Sequence, residues 1–117
     1  MDGAQPRWVD SHCHLFGSEE PPGILLDRAD AAGVDWVMCP GIDLETSLAS
    51  RRIAVEYPGR IMWAAGLHPH DASAWSEQEG RLAALIAEAD AIGECGLDYY
   101  RDLSPRPVQR QVFRRQL

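Results

Sequence analysis

Short apolar runs with the period of a strand alternate along this chain with longer stretches of helical period, four times over. "RWVDSHCHL" reads as the first strand. After the break at "GSEEPPG", residues 24–34 carry Leu25, Ala29 and Ala32 at helical spacing and end at Gly33. "VDWVMCPG" is a β-rich run closed by Pro40 and Gly41. Asp43 then caps a helix with Leu44, Leu48 and Val55 along one side, stopped at Pro58-Gly59. "RIMWAAGLHPH" is a third strand running into a loop. Ser76 to Glu79 reads as a capping box that opens a helix with Leu82, Leu85, Ile86 and Ala89 on one face. "AIGECGLDYY" is the fourth strand. Ser104-Pro105 starts a last helix whose apolar positions are Val108, Val112, Phe113 and Leu117.

Strict β-α alternation, with strands too apolar to face water on one side, predicts an α/β fold with a parallel sheet. The polar interruptions of those strands carry the chemistry. Asp10, His12 and His14 stand at every second position of the first strand, so they share a side. Such a stripe costs roughly 1–3 kcal/mol per unpaired polar group, unless a partner such as a metal ion satisfies it. His68 stands at the end of the third strand, and Glu94 and Asp98 share a face of the fourth. All lie at or beyond the C-terminal strand ends, the edge where active sites of parallel α/β folds gather. Neutral imidazole with carboxylate suits zinc, manganese or iron. The blander readings are that His70 is a loop residue, Tyr99 and Tyr100 pack, and Arg106, Arg110 and Arg114 form a solvated helix face.

At 117 residues the chain is one domain at most, and 45% hydrophobic content is enough for a core. The net charge of −7 excludes broad electrostatic capture of a polyanion, so any nucleic-acid contact has to be local. No apolar leader or membrane-length run marks export or insertion. Cys13, Cys39 and Cys95, odd in number and widely spaced, fit a reducing compartment, so the expected location is cytoplasmic. No close Cys pair supports a structural zinc site, and Cys39 reads as core filling.

Three motifs in order and spacing, "VDSHCHL", "AAGLHPH" and "IGECGLDYYRD", resemble the TatD family of metal-dependent deoxyribonucleases and related hydrolases. "SPRPVQRQVFRRQL" is similar to the helix that follows in that family. The resemblance implies a (β/α)8 TIM barrel with one or two divalent ions (zinc, magnesium or manganese). That centre hydrolyses phosphodiester bonds, including 3′-to-5′ exonuclease action on DNA. By position, His12 and His14 would be ligands of the first metal and Glu94 the shared carboxylate. His68 would touch substrate phosphate or the attacking water. Asp10 and Asp98 would support the ligands. Phe16 departs from the acidic or small residue that many relatives carry there.

The family draws two further His ligands and a catalytic Asp from strands five to eight. Residues 1–117 hold only about four βα units, so they are expected to be the N-terminal half of the barrel. The last helix reaches Leu117 without a C-cap, in keeping with that expectation. The implied partners are DNA or another phosphodiester, and either the other half of the barrel or a second copy of the chain. Interior side chains near Ile61, Met62 and Ile92 are expected to lack cover. Two other readings remain at this point: another H-x-H amidohydrolase or PHP-type phosphoesterase, and a non-catalytic degenerate half-barrel. "GECGLDYYR" argues against the amidohydrolase and PHP readings.

Overall fold

The computed structural model describes residues 3–117. Four strands, β1 (Trp8–Asp10), β2 (Val34–Pro40), β3 (Ile61–Ala65) and β4 (Ala91–Ile92), pair in parallel in chain order. Between them run α1 (Pro22–Ala31), α2 (Leu44–Glu56) and, after a 3-10 turn at Pro69–Ala74, α3 (Trp75–Glu88). Helix α4 (Arg106–Gln116) follows β4 after a long loop. The expected β-α alternation and parallel sheet are both present.

Register decides which side chains meet. Val37 pairs with Ile61 and Cys39 with Trp63, so these four share a face of the sheet. With Ala65 they form the main core, closed from outside by Leu26 of α1, Ala54 of α2 and Leu85 of α3. The opposite face carries Trp36, Met38, Pro40, Ala64 and Ile92, which line an open cleft of about 510 Å³. Ile92 is 40% exposed there, as expected, but Ile61 is not. It is only 3% exposed, because its parity sends it under the helices.

Helix α2 meets the sheet through small residues. Its buried positions are Ser47, Ser50 and Ala54, whereas Val55, expected on the inward side, is 71% exposed. A Cβ on Gly41 would run into Ser47, so the helix approaches as closely as glycine permits. The buried hydroxyls are satisfied. Ser47 Oγ accepts from the Gly66 amide at 3.3 Å, and Ser50 Oγ accepts from Cys39 Sγ at 3.5 Å. Asp43 caps α2 as expected, reciprocally with Thr46.

Helix α3 departs from its expected start. Ser76 lies inside the helix, not at its N-cap, because the 3-10 turn winds directly into Trp75, whose amide donates to Ala72 O. A turn already wound leaves fewer orphan amides for a capping side chain. Gln78 serves α2 instead, its Oε1 accepting from the Leu44 amide at 3.3 Å. The first and fourth strands are also shorter than expected: β1 stops at Asp10 and β4 at Ile92. Among the described residues no helix is long and apolar enough to cross a membrane.

Candidate metal centre

His12, His14 and Glu94 come from opposite edges of the sheet and meet over the end of β2. Beyond Asp10 the chain stays tied to the sheet by the Cys13 amide, which donates to Met38 O at 2.9 Å. The ring Nδ1 of His14 lies 3.0 Å from Pro40 O. A carbonyl only accepts, so Nδ1 carries the proton and Nε2 keeps its lone pair. From the other edge, the Glu94 amide donates to Gly41 O at 2.6 Å. That crossing runs over Gly66, where a Cβ would sit 2.8 Å from Glu94 O. Glycine is required there.

The donor atoms converge. His14 Nε2 lies 3.0 Å and His12 Nε2 3.5 Å from a Glu94 carboxylate oxygen, and the two ring nitrogens are 3.1 Å apart. One ligand atom from each residue falls within 4.8 Å of the others. Two imidazole nitrogens and a carboxylate facing one point make a donor set for a divalent cation with mixed nitrogen and oxygen preference. The thiols nearby are poor competitors. Burial pushes Cys95, which lines the cleft, away from the thiolate, and burial followed by Asp10 and Cys39 does the same to Cys13.

Asp10 does not reach the donor cluster. Its Oδ1 accepts from the His12 amide at 3.0 Å and so shapes the backbone that presents the ring. Asp98, expected to share the Glu94 face of one long strand, lies elsewhere because β4 ends six residues before it. It pairs with His70 Nε2 instead. The Arg101 amide, and then His70, hold its carboxyl below the usual range. His70, read from sequence as a plain loop residue, is therefore part of a second polar cluster with His68, whose ring centroid is 4.1 Å away. Arg106 and Arg110 are not simply solvated. Arg106 stacks 4.7 Å over the Tyr99 ring and pairs with Asp102, and Arg110 donates to the Tyr99 hydroxyl at 3.1 Å.

Two buried glutamines escaped the sequence reading. Gln109 is 1% exposed, accepts from the Asp98 amide at 2.8 Å, and donates to Asp98 O and Ser104 O at 3.2 and 2.7 Å. Gln116 accepts from the Leu67 amide at 2.8 Å and donates to Leu67 O at 3.2 Å. Helix α4 thus clamps both loops that follow β3 and β4. Leu117, expected among its apolar positions, is 76% exposed. The available signal was two amides at i and i+7 flanking Val112 on the inward face. Gln109→Leu is expected to lower stability by about 1–3 kcal/mol, because it strands buried backbone groups of Asp98 and Ser104. A urea melt measures it, and an unchanged midpoint would refute the clamp.

Residues 9–117 match the family model described as TatD related DNase. The chain belongs to this family. Among curated TatD relatives, the "3'-5' ssDNA/RNA exonuclease TatD" of Yersinia pseudotuberculosis serotype O:3 (strain YPIII) is 43% identical over 96 residues, covering 80% of this chain and 37% of the relative. The protein of the same name from Cronobacter turicensis is 44% identical over 97 residues, covering 80% of this chain and 36% of its own length. The chain therefore spans little more than a third of these TatD proteins. Of solved structures, a TatD family hydrolase from Entamoeba histolytica superposes with a TM-score of 0.78 at 22% identity, over 94% of this chain and 44% of that one. The TatD homologue YJJV from Escherichia coli gives 0.69 at 28% identity, over 94% and 45%. The four strands and their helices are thus the architecture of TatD TIM-barrel hydrolases, over four of their βα units.

Proposed function

We infer that this chain supplies the first part of a metal-dependent phosphodiesterase centre acting on nucleic acid, with residues 1–117 as the N-terminal half of the barrel. The observation that carries the reading is the convergence of His12 Nε2, His14 Nε2 and a Glu94 oxygen at the C-terminal edge of the sheet. The exonuclease names of the relatives support single-stranded DNA or RNA as substrate and 3′-to-5′ direction. His12, His14 and Glu94 would hold one ion, and Glu94, with a second oxygen, would be shared with another. Zinc and manganese suit this nitrogen and oxygen set, with magnesium third. When bound, such an ion polarises a phosphoryl oxygen and makes its water acidic enough to supply hydroxide near neutral pH.

The chain's own residues have defined tasks. The Pro40 carbonyl holds the His14 proton on Nδ1, so Nε2 is always free to ligate. Asp10 orients the His12 backbone, and the Gly41 carbonyl anchors Glu94. His68 faces substrate, and Asp98 supports it through His70. The uncovered sheet face favours a protein partner too, either the remaining βα units or a second copy. Three free cysteines favour a cytoplasmic location.

Equilibrium dialysis against zinc or manganese tests the centre. We expect one ion held weakly by three donors, and loss of binding in the His12→Ala/His14→Ala double variant. Undiminished binding in that variant would overturn the reading.

A further inference from the structure

The loop after β3 holds a histidine whose proton is assigned by its surroundings. His68 caps the 3-10 turn Pro69–Ala74, and its Nδ1 accepts from the His70 amide at 3.1 Å. An amide only donates, so Nδ1 must present a lone pair and, in the neutral ring, the proton sits on Nε2. The His68 backbone is pinned as well, its amide donating to Ile42 O at 2.8 Å and its carbonyl accepting from Asp71 at 2.9 Å. Among the described residues its Nε2 has no hydrogen-bond partner. A half-buried N–H donor left open at the strand edge that carries the His12, His14 and Glu94 cluster awaits an acceptor.

We propose that His68 is locked by the His70 amide as the neutral Nε2–H tautomer and donates that proton in a hydrogen bond to a phosphoryl oxygen of the substrate, with His70, Asp98 and Gln109 as its positioning residues. The chain of support is continuous. The His70 ring stands edge-on to His68, its Nε2 is held by Asp98, and the Asp98 backbone is held at both N–H and C=O by Gln109. The His70 carbonyl accepts from Ser104 Oγ at 2.8 Å, so the residue that supplies the locking amide is fixed at backbone and ring. Burial, then the neighbouring His70, lowers the His68 pKa against the opposing pull of Glu94, Asp71 and Asp98, which keeps the ring neutral. Protonation would also forfeit the His70 amide bond, since imidazolium has no lone pair at Nδ1.

This assignment excludes His68 as the base for the attacking water. A base needs its free nitrogen unprotonated, and here the nitrogen that is free carries the hydrogen. The hydrogen bond strengthens as negative charge gathers on the equatorial oxygens of the transferring phosphoryl group, so His68 touches the reacting group without taking its proton.

The identity of the oxygen rests on the phosphodiester reading above; the tautomer does not. The whole chain labelled with 15N-histidine is examined at pH 8 by long-range proton–nitrogen correlation. We expect His68 with bare Nδ1 and protonated Nε2; the reverse tautomer, or an averaged pair, overturns the lock. Inorganic phosphate is then titrated with magnesium present. The His68 Nε2 resonance should move, and its failure to move overturns the donor role. His68→Gln, which carries an amide N–H at nearly the same reach, should keep phosphate affinity within about threefold, whereas His68→Leu should lose about tenfold or more. Equal affinity in the Leu variant overturns the proposal. Asp98→Ala should mix the His68 tautomers while the far-ultraviolet dichroism stays unchanged, and an unmixed ring removes the positioning roles. Loss of metal binding alone, with the tautomer intact, defeats the hydrolase reading and leaves the lock standing.

Discussion

Glu94→Ala removes metal-dependent release of nucleotides from single-stranded DNA in a chain carrying the remaining βα units of its relatives, by at least about a hundredfold. The magnitude follows from position. The Glu94 carboxylate lies within 3.5 Å of both histidine Nε2 atoms, so its loss leaves two neutral donors and no anionic one. Removing a single well-placed donor to developing charge typically costs about 10²–10³ in rate, and a ligand shared between ions costs more. Glu94→Gln separates charge from shape, since it preserves the side chain's size but not its anion. Both variants should lose activity, with metal affinity measured by dialysis falling in parallel. Retained nuclease activity in either variant would refute the assignment of Glu94.

The second large effect concerns the 117 residues on their own: they associate. Trp8 and Val9 are 62% and 49% exposed at one edge strand, Ile92 is 40% exposed at the other, and Trp36, Met38 and Met62 are only half-buried. Covering a large apolar side chain contributes about 1.5–3 kcal/mol. A whole domain is stable by only about 5–15 kcal/mol. Strands β1 and β4 also leave outer backbone groups unpaired, which invites pairing with another chain. Light scattering should therefore show dimers or larger species, with a denaturation midpoint that rises with protein concentration. A monodisperse monomer with a sharp, concentration-independent transition would show that the open face is not a liability.

What the sequence made legible was whatever depends on period and local caps. The β-α alternation, the inward helical positions Leu82 and Leu85, and the Asp43 cap were all readable, because each is a matter of residues within one or two turns. The H-x-H pair was readable for the same reason, although β1 itself ends before it. Parity survives in the extended segment because Cys13 continues the hydrogen bonding to Met38. Asp98 failed where Glu94 did not, since parity means nothing once the strand has stopped at Ile92. Gln109 and Gln116 were misjudged because an amide looks like a surface residue until its partners, the backbones of Asp98 and Leu67, are known. Val55 and Ser47 exchanged expected roles for a steric reason. The close pass of α2 over Gly41 admits a hydroxyl and excludes a branched side chain.

The anchoring of His14 and Glu94 on neighbouring carbonyls of Pro40 and Gly41 has a consequence for folding. The donors arrive from the first and last strands, so an ion held between them acts as a clasp across the full width of the sheet. In the unfolded chain those donors lie far apart, and closing so long a loop is entropically unfavourable. Ion affinity and chain order then become one equilibrium rather than two. An ion at a hundred times its dissociation constant would deepen the folded well by about 2.7 kcal/mol. Chelation would loosen the outer strands first, because the clasp joins them directly.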